Sequence, residues 1–77
     1  MTVEEEIREL ALKQMAISLK IIKTAFNSDK PEYHLPVVNM SEKFLNLDTK
    51  NITNEELADF LEFGAGEIKV ILQNLDQ

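Results

Sequence analysis

Glu55, Asp59 and Glu62, spaced one helical turn apart, are the nearest this chain comes to a catalytic arrangement. Carboxylates do acid–base work when a cleft perturbs their pKa values. Here they fall opposite Leu57, Phe60 and Leu61 on a helix, so the pattern reads as a solvated face. The single histidine, His34, lies in Glu-Tyr-His-Leu between Pro31 and Pro36. It could ligate a metal with Glu32 or Asp29, but a metal site needs three or four convergent ligands and this loop offers no such set. The chain has no cysteine, which removes disulfides and thiolate sites. A Ser/His/Asp set and a glycine-rich phosphate loop are both missing from the sequence. The expectation is a protein that is not an enzyme and holds no metal or cofactor.

The elements that carry these residues point to helices throughout. Thr2 and Glu5 have the spacing of a capping box, and Glu4, Glu5 and Glu6 complement the positive end of a helix that starts there. The spacing predicts a first helix over 3–27, ended by the turn formers Asn-Ser-Asp-Lys-Pro, and a loop over 28–35. A second helix is expected over 36–46, with Pro36 in the first position, where a missing amide costs nothing. A short strand over 35–40 is the alternative. Thr53 and Glu56 form a second capping box, with Ile52 and Leu57 placed as a hydrophobic staple. A third helix is therefore expected over 54–63, capped by Gly64, and a fourth over 66–75. The fold class is all-α: one domain over 1–77, a small bundle of one long N-terminal helix and about three shorter ones.

The first helix carries more apolar surface than one neighbour can cover. One stripe holds Ile7, Leu10, Ile17 and Ile21; a second holds Leu12, Met15, Leu19, Ile22 and Phe26. Together they span roughly 220° of the circumference, where a surface helix shows an apolar stripe of about 100° or somewhat more. The expected core is Ile7, Leu10, Ile17, Ile21, Phe44, Leu57, Leu61, Ile68, Ile71 and Leu72. The stripe Leu12, Met15, Leu19, Ile22 and Phe26 is then expected to face another chain, most simply in a homodimer. A chain of 77 residues buries a modest core and cannot staple itself with disulfides, which also favours oligomerisation.

The net charge is −6. Residues 48–77 hold seven acids (Asp48, Glu55, Glu56, Asp59, Glu62, Glu67, Asp76) against Lys50 and Lys69, a balance of −5. Such a surface repels phosphate backbones and suits a basic surface on another protein. Glu55, Asp59, Glu62 and Glu67 are the acidic contact residues this predicts. The segment Thr53–Leu72 resembles a helix-turn-helix in its apolar skeleton, with Ala58 at the small packing position. If it served as one, the chain would be a DNA-binding regulator. It departs from the motif at the turn, where Glu62 stands in place of glycine, and Lys69 is the lone cation on the would-be recognition helix.

Lys13, Lys20 and Lys23 make too narrow a polar arc for an interfacial membrane helix, and the charge-free stretches are too short for a span. The acidic N-terminus differs from the basic start of a secretory signal. A cytoplasmic location is expected. Richness in asparagine and isoleucine fits an AT-rich bacterial or phage genome. The functional expectation is an acidic protein–protein interaction module, a regulator or inhibitor that oligomerises through its first helix. A structural subunit of a larger assembly, such as a virion, is the other reading.

Overall fold

Thr2 turns the chain into its first helix. Its hydroxyl accepts from the Glu5 amide at 3.1 Å and donates to the Glu5 carboxylate, also at 3.1 Å. This satisfies one of the amides that a helix start leaves free. The structure is a computed structural model and describes residues 2–75; Asp76, counted above with the C-terminal acids, lies outside them. Among the described residues there are three α-helices and no strand. They are α1 (Val3–Asn27), α2 (His34–Leu45) and α3 (Asn54–Gln73), with a single 3-10 turn at Pro31–Tyr33 before α2. No helix among the described residues is long and apolar enough to cross a membrane.

Two element boundaries differ from the sequence expectation. The loop after α1 is shorter than expected, since Pro31–Tyr33 already turns and α2 begins at His34. Pro36 is therefore the third residue of α2, still inside the first turn, where its missing amide would have had no helical partner. It is fully buried. The strand alternative over 35–40 is excluded by this helix.

The larger correction concerns the helices expected over 54–63 and 66–75, which are one uninterrupted helix ending at Gln73. Gly64 does not cap anything. Neither Gly64 nor Gly66 takes a left-handed φ. A glycine ends a helix only by adopting that conformation, and here nothing drives it to. Leu57, Phe60, Gly64 and Ile71 are all buried along one side of α3, so continuing the helix keeps a single apolar stripe facing inward. The capping box at its start is complete: the Thr53 hydroxyl accepts from the Glu56 amide at 3.1 Å, and the Glu56 carboxylate accepts from the Thr53 amide at 3.0 Å. The staple residues Ile52 and Leu57 are both buried.

The helices run up, down, up. Arg8 near the start of α1 meets Ile52 and Asn54 at the start of α3. Ile21 and Ile68 share a groove near the other end. α1 and α3 are therefore parallel. α2 runs the opposite way against both. On the α1 side, Phe26 shares a hollow with His34 and Val37 at the start of α2, while Leu19 and Phe44 are absent from it and line the neighbouring groove. Asn39 reaches Glu67, and Lys43 stacks on Phe63, on the α3 side.

The core lies where the three helices meet, around Met40 and Phe60, both fully buried. Small residues allow the close approach. A Cβ placed on Gly64 would lie 3.2 Å from Met40 Cε and 3.8 Å from Ser18 Cβ. Ser18 is buried, and its hydroxyl donates to the Gln14 carbonyl at 3.0 Å, so its burial leaves no polar atom unpaired. Between α2 and α3, Asp48 accepts from the Lys50 amide and from the Asn51 side chain, each at 3.1 Å. The Asn51 side chain first, and the Lys50 amide second, hold this exposed carboxyl below its ordinary pKa.

Candidate functional site

The two stripes of α1 do not divide into one inward and one outward. The boundary between them faces inward. Met15, Ser18, Ile22 and Ala25 are the buried residues of α1, with Ala11 packed beside them. Of the stripe expected to face another chain, Met15 and Ile22 are in the core, and Leu12 and Leu19 are packed against it. Only Phe26 stays largely outside, 66% exposed. That stripe is thus largely used up within the bundle, because α2 lies across it.

The stripe expected inside is the uncovered one. Ile7 is 62% exposed, Leu10 56% and Ile17 51%. Val3, a turn before Ile7, is 67% exposed. Of the expected core, Leu57 and Ile71 are buried, while Ile21, Phe44, Leu61 and Ile68 are half-buried. Leu72, also expected inside, is exposed, as is Leu75 beyond it. One feature accounts for these differences: α1 has apolar residues on both flanks of its buried line, and α2 covers one flank only.

The uncovered flank of α1 and the neighbouring flank of α3 make a continuous surface opposite α2. Depressions run along it. One is lined by Ile7, Ala11, Leu57 and Leu61, the next by Ile21, Leu61 and Ile68. The last, about 560 Å³, is lined by Ile17, Ile21, Ile68, Leu72 and Leu75, with Lys20 and Lys30 at its edge. Monomeric proteins seldom leave a long contiguous apolar surface open unless something binds it.

The acidic residues separate. Glu55, Asp59 and Glu62 are exposed on the outer side of α3. Glu67 is on a different side: half-buried, it faces α2 and accepts from the Asn39 side chain at 3.2 Å. It belongs to the packing of α3 against α2 and not to the acidic face. His34 is exposed in the first turn of α2. Among the described residues there is no group of three or more His, Cys, Asp or Glu side chains placed to hold a metal ion. The two-helix hairpin that a helix-turn-helix requires is not formed, since α3 runs straight through it.

No family model, curated protein or solved structure matches the chain.

Proposed function

We propose that this chain is a non-catalytic protein-interaction module whose working surface is the face shared by α1 and α3. The observation that carries this reading is the run of exposed apolar side chains along the first two thirds of α1, from Val3 through Ile7 and Leu10 to Ile17. Apolar area of this kind repays burial at roughly 25 cal/mol per Å², and the fold itself does not bury it. Charged groups border that face, Glu4 and Arg8 near the start of α1 and Lys20, Lys30 and Lys69 toward the other end, and the acids Glu55, Asp59 and Glu62 are exposed on the outer side of α3, so a partner would meet both an apolar centre and charge. A regulator or inhibitor that works by occupying another surface needs nothing more.

A photo-crosslinking side chain at position 17 tests this, with the same group at position 62 as control. The reading expects adducts of discrete mass from position 17 in the native cell and none of equal yield from position 62. Equal, diffuse labelling at the two positions would count against it.

A further inference from the structure

Resting on that reading, we infer that the occupant of the α1/α3 face is a second copy of this chain, docked antiparallel. The residues on the open flank of α1, apolar except Gln14 and exposed except the half-buried Ile21, alternate at steps of four and three. Val3, Ile7, Leu10, Gln14, Ile17 and Ile21 form such a row. On α3, Ala58, Leu61, Ala65, Ile68, Leu72 and Leu75 form another. A mean step of 3.5 residues is the period at which one helix meets another along its length. Both rows border the same side of the bundle, as the shared depressions between them show. Two parallel helices with adjacent uncovered rows are half of a four-helix bundle. A second copy brings the other half.

Charge selects the orientation. α1 is acidic at its start (Glu4, Glu5, Glu6 and Glu9 against Arg8, which is bonded to Ile52 and Asn54) and basic further on (Lys13, Lys20, Lys23). α3 is acidic over its first half (Glu55, Glu56, Asp59, Glu62) and neutral over its second, where Lys69 is exposed and Glu67 is turned toward Asn39 of α2. A parallel copy would set acidic start against acidic start on both helices. An antiparallel copy sets the acidic start of α1 against the basic half of the second α1, and the acidic half of α3 against the neutral half of the second α3, twice by symmetry. Along the outer flank of the α1 row, Glu6, Lys13 and Lys20 recur at seven-residue intervals. In an antiparallel pair like flanks face each other, so Glu6 is directed toward the basic half of the second copy. Ala58 and Ala65 keep the α3 row low, which lets the two copies of α3 approach.

Sedimentation velocity of the full chain decides the first point. The wild type is expected as a dimer at about 10 µM, a concentration at which a micromolar interface is mostly formed. Ile17→Glu is expected to weaken the dimer by about thirtyfold or more, because it buries an unpaired charge at the centre of the interface. Its circular dichroism should be unchanged, since the side chain is half exposed in the monomer. Leu45→Glu, at an 80% exposed position on α2, is the control and should remain dimeric. Spin labels decide the orientation. On Lys13→Cys they should lie close across the pair, and on Asn27→Cys roughly 40 Å apart, from 1.5 Å of rise per residue on each helix. Short distances at both positions would mean a parallel pair and overturn the antiparallel arrangement. A strictly monomeric wild type would overturn self-association. If position 17 then crosslinks to a chain of different mass, the interaction reading stands without it; if it crosslinks to nothing, both fall.

Discussion

The Arg8 guanidinium donates to the backbone carbonyl of Ile52 at 2.6 Å, and its other terminal nitrogen donates to the Asn54 side chain. These two contacts join residues more than forty positions apart and fix the register of the parallel pair α1 and α3. Ile52 precedes the Thr53 cap, so the same fork also holds the chain where α3 begins. A planar guanidinium offers a separate nitrogen to each acceptor in a fixed fork, whereas an ammonium would have to reach both from a single nitrogen.

Arg8→Ala is therefore expected to cost about 1.5–3 kcal/mol, the usual range for hydrogen bonds from a charged donor that is partly buried. Arg8→Lys should recover less than half of that loss. Urea denaturation followed by circular dichroism measures both. If lysine substitutes fully, the fork geometry is irrelevant and only the charge matters.

Gly64 and Gly66 lie two residues apart in α3, and their neighbourhoods make opposite predictions. A Cβ on Gly66 would meet nothing within 4 Å, so Gly66→Ala should stabilise by about 0.5–1 kcal/mol through helix propensity alone. At Gly64 the new methyl meets Met40 Cε at 3.2 Å, and Met40 is fully buried. Gly64→Ala should gain less than Gly66→Ala, because Met40 must shift. Gly64→Val should destabilise by about 1–3 kcal/mol through overpacking. Thermal unfolding of the three variants orders them; a stabilising Gly64→Val would show that the three helices do not approach as described.

These glycines also explain how far α3 was legible. A glycine after ten helical residues resembles a C-terminal cap, and Gly-Ala-Gly resembles a break. The contrary signal was present too: Leu57, Leu61, Gly64, Ile68, Ile71 and Leu75 keep one unbroken alternation of four and three across the supposed gap. A real turn would shift that phase. The capping boxes, by contrast, were readable because they depend on residues three apart and on nothing distant. The tight Thr53–Glu56 pair forms in full, and Thr2–Glu5 forms its hydroxyl half.

Asp29 is the one non-glycine residue among those described with a positive φ, at 59°. It follows the Ser28 cap of α1 and its amide reaches the Phe26 carbonyl at 3.4 Å. A left-handed residue just past a helix end is a usual way to stop it, and glycine fits it best. Aspartate also places a negative charge at the negative end of the helix. Asp29→Gly is expected to stabilise by about 0.5–1 kcal/mol, a rise of a few degrees in Tm for a domain of this size. Asp29→Val should lower Tm, since a β-branched side chain tolerates that φ poorly. Calorimetry of both variants checks the sign in each direction.

Ile22 and Phe26 belong to the same apolar stripe one turn apart, yet the fold treats them differently. The sequence of α1 does not separate them, because each stripe alone is a good core face. What locates the core is the line of small residues between the stripes, Ala11, Ser18 and Ala25, at seven-residue spacing. It marks where another backbone comes close, and the stripes flank it. Ile22 falls on the flank that α2 covers and is 6% exposed. Phe26 lies where α2 has only begun and projects from the rim. Ile22→Ala should then cost about 2–4 kcal/mol, a large part of the stability of so small a domain. Phe26→Ala removes the larger side chain but should cost about 1 kcal/mol or less. Chemical denaturation of the two variants gives the comparison. Equal losses would mean that Phe26 is covered as thoroughly as Ile22 and that α2 closes over the whole of this flank of α1.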